Sequence, residues 1–177
     1  MINIKTLIVG PFSTNCYILT SNKETIIIDP GAGLKKILKE IEGGKTNFII
    51  LTHYHWDHTS EALKLKEKTG AKILIGEKEK SFIKFEPDKF LEDNEEIKIS
   101  DNILKVVHTP GHTKGSICLI GENFIFTGDT LFDNGVGRTD LPGGCQKDLE
   151  VSLKKLGRII KQGMKVYSGH GSVFEKS

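Results

Sequence analysis

The hydrophobic positions of the chain fall mostly into short runs rich in β-branched and aromatic residues, separated by glycine, asparagine and lysine. Runs of this kind predict β-strands bounded by turns. We expect strands at residues 2–9, 15–20, 25–28, 47–51, 72–75, 97–99, 103–107, 116–120, 124–127 and 165–167. Apolar residues at helical spacing predict helices at 34–41, 60–69, 77–85 and 146–160, the last one broken or kinked near Gly157.

The order of these elements, two β-rich halves that are each followed by helices, predicts the α/β class. We expect two β-sheets packed face to face with helices outside, a four-layer αββα sandwich. At 177 residues the chain fits a single domain spanning residues 1–177. The polar residues of interest lie at the ends of predicted strands or in the loops that follow, where catalytic groups gather on a rigid sheet.

Composition and net charge limit the classes of partner that the chain is expected to bind. Apolar residues make up 37% and charged residues 27%, and the net charge is only +2, so we expect neither a nucleic-acid nor an anionic-membrane partner. No apolar run is long enough to span a bilayer. The three cysteines are widely spaced and form no C-x-x-C pair, which favours a reducing cytoplasm over a disulfide framework. No pattern predicts the oligomeric state.

The segment 52–58, T-H-Y-H-W-D-H, places four potential metal ligands within six residues. His53 and His55 are two residues apart, so in an extended segment they project to the same side. Asp57 and His58 follow where the chain turns into a predicted helix, which would swing them away from the first pair. Because chance rarely produces H-x-H-x-D-H, we interpret this loop as serving two adjacent metal ions.

Three further candidates each follow a predicted strand and have glycine neighbours that permit sharp turns. They are His112 in T-P-G-H-T, Asp129 in T-G-D-T and His170 in G-H-G. Each pattern alone is more often an ordinary turn, but a metal site with H-x-H-x-D-H needs additional ligands. His108 competes with His112, and we favour His112 because the flexible Gly111 precedes it.

Five histidines and two aspartates without a thiolate suit Zn²⁺, with iron or Mn²⁺ as alternatives. Seven ligands exceed what one tetrahedral ion needs, so we predict two divalent ions that share a bridging carboxylate. The predicted ligands are His53, His55 and His112 for the first ion, Asp57, His58 and His170 for the second, and Asp129 as the bridge. Such a pair can hold a bridging hydroxide that attacks a carbonyl, which gives Asp57 and Asp129 a catalytic role as well.

Three further residues lie near these ligands, and one of them, Asp29, has two interpretations. Asp29, at the end of a predicted strand, either caps a turn or accepts a hydrogen bond that orients a ligand histidine. Tyr54 and Trp56 alternate with the histidines and are therefore expected to point away from the metals, into packing.

The full order of these ligands resembles the metallo-β-lactamase superfamily over nearly the whole chain. Within it, the segments H-T-P-G-H-T-x-G at 108–115 and G-D-T-L-F at 128–132 resemble glyoxalase II and its small relatives. The resemblance implies two mixed β-sheets, a zinc-dependent thioesterase and a small-molecule substrate such as a hydroxyacylglutathione. It also implies that Arg138, in G-R-T-D-L-P-G-G at 137–144, contacts the substrate, whereas a surface salt bridge is the alternative.

The chain departs from glyoxalase II proper because the sequence ends shortly after His170. The C-terminal helical domain that supplies much of the glutathione site is therefore not expected. Three other functions stay open: a mononuclear iron persulfide dioxygenase using His55, His112 and Asp129, a lactonase or phosphodiesterase, and a non-catalytic metal-stabilised domain. Seven ligands in rim loops argue against the last, because a structural zinc site needs four.

Overall fold

Two six-stranded β-sheets face each other in the structure, a computed structural model that describes residues 2–176. The first sheet contains, in chain order, β1 (Asn3–Val9), β2 (Thr14–Ser21), β3 (Glu24–Ile28), β4 (Lys45–Leu51), β5 (Lys72–Gly76) and β6 (Lys89–Leu91). The second contains β7 (Glu96–Ile99), β8 (Asn102–His108), β9 (Ile117–Ile120) and β10 (Phe124–Gly128). A small hairpin follows, formed by β11 (Leu131–Phe132) and β12 (Gly135–Val136), and then β13 (Lys165–Ser168) and β14 (Phe174–Glu175) complete the second sheet.

Both sheets are mixed, as expected. In the first, β1, β2 and β3 pair antiparallel, whereas β3 to β6 run parallel to one another. In the second, whose order is β14-β13-β10-β9-β8-β7, only β10 and β13 pair parallel. Because β8 and β10 are both antiparallel to β9, the carboxyl ends of β8, β10 and β13 meet at one edge of this sheet.

Four helices connect the strands: α1 (Leu34–Glu40), α2 (Trp56–Thr59), α3 (Ala62–Thr69) and α4 (Gln146–Ile159). Three apolar clusters define the layers. The first, which includes Ile28 and Phe126, fills the space between the sheets. The second joins α1 and α3 to the outer face of the first sheet, and the third joins Leu156 of α4 to the outer face of the second. The four-layer αββα sandwich is confirmed. No helix among residues 2–176 is long and apolar enough to cross a membrane.

The structure corrects several element predictions. Residues 77–85 form only a 3₁₀ helix at Glu77–Glu79, because the Glu79 side chain turns inward to bind the loop at Gly115 and the chain then unwinds. The predicted break near Gly157 is wrong, since α4 continues through it to Ile159. The helix predicted at 60–69 is α3, which begins two residues later than expected, and the short α2 before it was not predicted as a separate helix. The short strands β6, β11, β12 and β14 were not predicted, because two or three residues carry no periodicity of their own.

Candidate metal centre

All seven predicted ligands lie at one edge of the sandwich, each just beyond the carboxyl end of a strand. β4 leads into His53 and His55, and α2 then presents Asp57 and His58. The remaining three, His112, Asp129 and His170, follow β8, β10 and β13 respectively. The strand directions explain this convergence, because parallel and next-nearest strands end at the same edge of a sheet.

The first ligand group consists of His53, His55 and His112. One donor atom from each of these residues lies within 4.8 Å of the other two. The closest pair is His55 Nδ1 and His112 Nε2, which are 2.9 Å apart. Three imidazole nitrogens that converge in this way match the donor set of a Zn²⁺ ion.

The second ligand group consists of Asp57, His58 and His170, whose donor atoms also lie within 4.8 Å of one another. His58 Nε2 and His170 Nε2 are 3.3 Å apart. Asp57 Oδ2 lies 3.4 Å from each of these two nitrogens. The division of the ligands into two groups is therefore the one expected from the sequence.

Asp129 lies between the two groups. Its Oδ1 is 3.5 Å from His58 Nε2, and its Oδ2 is 3.6 Å from His112 Nε2 and 3.4 Å from His170 Nε2. A single carboxylate thus faces histidines of both groups. This is the position that a bridging ligand requires.

Two ligand histidines are oriented by main-chain carbonyls. His112 Nδ1 donates to the Arg138 carbonyl at 2.8 Å, and His170 Nδ1 donates to the Phe12 carbonyl at 3.0 Å. With the proton held at Nδ1, the lone pair of each neutral ring lies at Nε2, the atom that faces the centre.

Asp29 and Thr52 orient two further ligand histidines, His58 and His53, through hydrogen bonds to the Nδ1 atoms. Asp29 accepts from His58 Nδ1 at 2.9 Å and from the Thr52 hydroxyl at 2.6 Å. Because the Thr52 hydroxyl donates to Asp29, it is left to accept from His53 Nδ1, which lies 3.0 Å away. Asp29 also accepts a hydrogen bond from the Thr52 amide at 2.8 Å. Its oxygens are therefore occupied by donors, and the carboxylate orients ligands without being one itself.

The residues fit a pair of metal ions. Among residues 2–176, His53 Nε2 and Asp129 Oδ1 are buried without a hydrogen-bond partner, an arrangement that is costly unless another group binds them. At Gly169 a Cβ would lie 2.0 Å from Asp129 Oδ1 and 2.8 Å from His58 Cε1, so only glycine lets the chain pass this close to the centre. A set of imidazoles and carboxylates, without thiolate, suits Zn²⁺, Mn²⁺ or iron.

Two imidazoles of the first ligand group, those of His53 and His55, are neutral at physiological pH. Burial, together with the charge of His58, lowers the pKa of His53 well below its usual value. Burial and the neighbouring His112 lower the pKa of His55 to about 4. Neutral rings keep the lone pairs that a metal needs.

The second ligand group is held together by opposite charges. Burial opposes the charge of His58, but the carboxylates of Asp129 and Asp29 outweigh it and raise its pKa well above the usual value. For His170, hydrogen bonds to Asp129 and Asp57 likewise outweigh burial and raise the pKa to about 9. These histidines in turn hold the pKa of Asp129 well below its usual range despite its burial. The carboxylates thus favour positive charge in this group, and a divalent cation supplies such a charge.

Four further predictions concern residues around the ligands. The Arg138 guanidinium forms a bidentate ion pair with Asp140 at 2.6–2.7 Å, and its main-chain carbonyl is the part that reaches a ligand. His108 lies outside both groups, with its Nε2 3.0 Å from the Lys114 carbonyl. Tyr54 stacks on Phe82, as expected of a packing residue.

The expectation that Trp56 is packed is wrong, because 57% of its surface is exposed. Alternation along the strand indicates only that a side chain points away from its neighbours, and here that direction leads to solvent.

Sequence reasoning missed several residues that hold the ligand loops. Asn15 Nδ2 donates to the carbonyls of Ser168 and Gly171, on both sides of His170. The Thr14 hydroxyl donates to Asp57 Oδ2 at 3.2 Å. A threonine and an asparagine beside a predicted strand carry no spacing signal that would indicate such contacts.

The metallo-beta-lactamase superfamily model matches residues 9–170 of the chain. Hydroxyacylglutathione hydrolase GloC of Haemophilus influenzae is 32% identical, over 96% of this chain and 91% of its own length. The solved structure of the BLEG-1 B3 metallo-beta-lactamase has a TM-score of 0.88 at 28% identity, covering 98% of this chain and 94% of that one. TTHA1623 in a di-iron-bound form has a TM-score of 0.86 at 27% identity, covering 97% and 94%. The chain therefore belongs to the metallo-beta-lactamase superfamily, as a metallo-hydrolase.

Proposed function

We propose that the chain is a two-metal hydrolase that cleaves thioesters of the hydroxyacylglutathione type. The observation that carries the proposal is the position of Asp129, with one oxygen 3.5 Å from His58 Nε2 and the other 3.6 Å from His112 Nε2. A carboxylate placed between two donor groups is suited to bridge a pair of ions. The similarity to hydroxyacylglutathione hydrolase GloC, which extends over 91% of that relative's length, supports the thioester substrate.

The proposed metals are two divalent ions, with Zn²⁺ as the first choice and iron or Mn²⁺ as alternatives. The first ligand group would hold one ion and the second ligand group the other. When bound, a pair of such ions supplies an acidified water and a positive charge that polarises the substrate carbonyl. The similarity to TTHA1623 in its di-iron-bound form supports a site for two metals and keeps iron among the candidates.

The two aspartates have different tasks in the proposed reaction. The Asp57 side chain is 17% exposed and that of Asp129 is 10% exposed, so Asp57 is the carboxylate that an incoming water reaches more readily. Besides its place in the second ligand group, we assign to Asp57 the orientation of the attacking water, from which it would accept a hydrogen bond. Asp129 stays ionised, because the charge of His58 holds the pKa of the Asp129 carboxyl low. We assign to Asp129 the role of a ligand shared by the two groups.

The buried cysteines are unsuitable as nucleophiles. Burial raises the pKa of the Cys118 thiol to about 11 and that of the Cys16 thiol still further. Because the thiolate is the reactive form, neither thiol competes with water at neutral pH. Neither buried thiol is therefore the nucleophile, and in the proposed hydrolysis water attacks the carbonyl directly.

A substrate contact by Arg138 remains a proposal. Its side chain is 62% exposed and that of Asp140 is 64% exposed. An exposed pair of this kind contributes little to stability, so a substrate carboxylate can displace Asp140 at little cost. Arg138→Ala is expected to raise KM for a glutathione thioester with a small effect on kcat.

The proposal is tested by measuring the metal content and screening substrates. We expect close to two metals per purified chain by elemental analysis, and hydrolysis of S-D-lactoylglutathione in preference to a lactone, a phosphodiester and a β-lactam. His170→Ala should lose one metal and most of the activity. His108→Ala is the matched control, because His108 lies outside both ligand groups, and it should retain both metals and full activity.

Two results would overturn the proposal. If His170→Ala keeps both metals, the second ligand group does not hold an ion. If the protein carries one iron and consumes oxygen with glutathione persulfide while leaving all thioesters intact, it is a persulfide dioxygenase. The β-lactam in the screen addresses the similarity to BLEG-1 in the same way.

A further inference from the structure

The Tyr54 side chain contacts three parts of the molecule that meet beside the first ligand group. Its ring centroid is 4.5 Å from that of the ligand His55, and the ring stacks on Phe82 with a centroid distance of 4.9 Å and an interplanar angle of 17°. The Tyr54 hydroxyl donates a hydrogen bond of 2.8 Å to the Pro142 carbonyl. A residue that lies between two metal ligands in the sequence thus reaches the segment that carries Arg138.

The segment that carries Arg138, residues 137–144, is closed on itself and is called the arginine segment below. A Cβ at Gly144 would lie 2.3 Å from the Thr139 carbonyl oxygen, so a larger residue would force the two ends of this turn apart. The ion pair between Arg138 and Asp140 also lies within the segment. Neither contact attaches the segment to the rest of the fold.

The ends of the arginine segment are attached to the loop that carries His112. The Arg138 carbonyl accepts from His112 Nδ1 at 2.8 Å, and just past the other end the Cys145 amide donates to the Gly111 carbonyl at 2.8 Å. Between these ends, the Tyr54 hydroxyl is the one side-chain group from elsewhere in residues 2–176 that hydrogen-bonds to the segment. Loss of this bond would free the middle of the segment to move relative to its ends.

We propose that Tyr54 is a positioning residue that sets the place of the Arg138 guanidinium beside the metal centre, and thereby the affinity for a carboxylate of the thiol carrier. The inference rests on the proposed function, in which Arg138 contacts the substrate. A guanidinium binds a carboxylate through two parallel hydrogen bonds, which require a fixed direction as well as a charge. The Arg138 side chain is 62% exposed and its partner Asp140 belongs to the same segment, so the guanidinium takes its place from the segment.

The first experiment removes a single oxygen atom. Tyr54→Phe keeps the ring against His55 and Phe82 but loses the hydrogen bond to the arginine segment. For S-D-lactoylglutathione and the metal-loaded variant, we expect KM to rise about two- to tenfold, the range for one hydrogen bond, while kcat and the metal content stay at wild-type values. Tyr167→Phe is the matched control, because it removes the same oxygen from a ring that packs between the sheets, and it should keep the wild-type KM.

The second experiment tests whether Tyr54 acts through Arg138. In the Arg138→Ala background, Tyr54→Phe should leave KM within twofold, because no guanidinium remains to be positioned. Residues that act through one another show this non-additivity in a double-mutant cycle. If the two substitutions instead raise KM by factors that multiply, Tyr54 acts on the substrate by another route, and the inference is overturned.

The third experiment does not depend on catalysis. S-methylglutathione is an inert thioether with the carboxylates of the carrier, and it should bind the metal-loaded protein in isothermal titration calorimetry. Its Kd should rise about two- to tenfold in Tyr54→Phe, again the range for one hydrogen bond. The diamide of S-methylglutathione, in which both carboxylates are replaced, should bind wild type and Tyr54→Phe equally.

The outcomes separate this inference from the proposed function. Thioester hydrolysis with wild-type KM and Kd in Tyr54→Phe would overturn the positioning role and leave the hydrolase standing. Binding of S-methylglutathione that depends on both Tyr54 and Arg138, without thioester turnover, would overturn the thioesterase and leave the positioning role standing. If kcat and the metal content fall while KM does not change, the hydroxyl acts on the ligand His55, and the inference is overturned. Absence of S-methylglutathione binding to wild type would overturn it as well.

Discussion

Asp29 Oδ2 lies 2.9 Å from His58 Nδ1, although the two residues are 29 positions apart and lie on different elements. The same carboxylate binds the Thr52 hydroxyl, which in turn contacts His53 Nδ1. One buried aspartate thus orients a histidine of each ligand group. Of the two interpretations of Asp29 left open by the sequence, a turn cap and an acceptor for a ligand histidine, the hydrogen bonds of its side chain match the second. Its backbone makes the turn itself, with φ of +52°.

Asp29→Asn is expected to weaken metal binding without preventing folding. Asparagine tolerates the left-handed backbone of this position, but it offers one acceptor oxygen to three donors and carries no charge. Loss of such an outer partner lowers metal affinity by roughly 10- to 100-fold. Titration of the metal-free protein with Zn²⁺ in competition with a chelator measures the change.

Asp101→Asn is the matched control for this substitution. Asp101 is exposed in the turn between β7 and β8, away from the centre, and its loss of charge should leave Zn²⁺ affinity within twofold. Equal affinities for wild type and Asp29→Asn would show that Asp29 serves the fold alone.

Gly169→Ala is expected to abolish activity through a single methyl group. The new Cβ would lie 2.0 Å from Asp129 Oδ1, so the bridging carboxylate or the chain that carries His170 has to move. Elemental analysis should find less than two metals per chain, and the hydrolysis of any substrate found should fall at least 100-fold. A displacement of about 1 Å at reacting groups is sufficient for such a loss.

Gly157→Ala, the matched control for Gly169→Ala, also adds a single methyl group, but at a position where no atom is close enough to be displaced. A Cβ at Gly157 meets no atom within 4 Å, and the residue lies inside α4. Alanine is the better helix former, so this variant should be more stable than wild type by about 0.5–1 kcal/mol in urea unfolding. Its metal content and activity should not change. A loss of metal in both variants would indicate that the effect of Gly169→Ala is not local.

The ligand side chains were predictable because their chemistry and their spacing stand in the sequence. His53 and His55 alternate in an extended segment, Asp129 follows the apolar strand β10, and His170 follows the short strand β13. The strand pattern likewise predicts the sandwich, because its runs are long enough to fill two sheets. The observed ends of these strands differ from the predicted ones by one or two residues, because pairing with a neighbouring strand decides where a strand ends.

The contacts that orient the ligands were not predictable in the same way. The partners of His112 and His170 are the main-chain carbonyls of Arg138 and Phe12, and every residue carries a carbonyl. For Arg138 the sequence drew attention to the side chain, while the structure places the carbonyl against a ligand. Such roles depend on where a loop passes and not on which side chain it carries.

Asn15→Ala is expected to loosen the loop that carries His170. The alanine would leave the Gly171 carbonyl without its side-chain donor, and the buried Ser168 carbonyl would keep only the hydrogen bond from the Tyr17 hydroxyl. We expect a loss of about 1–3 kcal/mol in the free energy of unfolding. Occupancy of the second ligand group should fall with it, as measured by elemental analysis after dialysis against a weak chelator.

Asn102→Ala is the matched control, because Asn102 Nδ2 also donates twice, to Ser21 Oγ at 3.0 Å and to the Ile99 carbonyl at 3.4 Å. These contacts lie near the start of β8, far from the ligands. The control should lose stability and keep both metals. If both variants lose metal equally, Asn15 acts only through global stability.

Glu79 gives the fold a pH dependence that is separate from the metal ligands. The residue is fully buried, and burial raises the pKa of its carboxyl to about 7 despite hydrogen bonds from Thr113 and Gly115. Both donors bind Oε1, so the proton of the neutral acid resides on Oε2, which has no partner among residues 2–176. In the unfolded chain the same carboxyl titrates near its ordinary value of 4.5.

The direction of the effect follows from proton binding. Between pH 4.5 and 7 the folded protein holds a proton on Glu79 that the unfolded chain has released, so rising pH destabilises the fold across this window. The total contribution is roughly 3 kcal/mol, and it is complete above pH 7. Glu79→Gln places a neutral amide at the same position and removes this dependence. Relative to wild type, the variant should therefore gain stability as pH rises from 5 to 8.

The measurement is urea unfolding of the metal-free protein at several pH values, with the difference between variant and wild type taken at each. The difference cancels the titration of groups common to both proteins. Glu77→Gln, which replaces an exposed carboxylate of the same 3₁₀ helix, is the matched control and should follow the wild-type profile. A Glu79→Gln profile parallel to wild type would show that Glu79 is already ionised when buried. The hydrogen bonds from Thr113 and Gly115 would then be strong enough to hold a full charge in the interior.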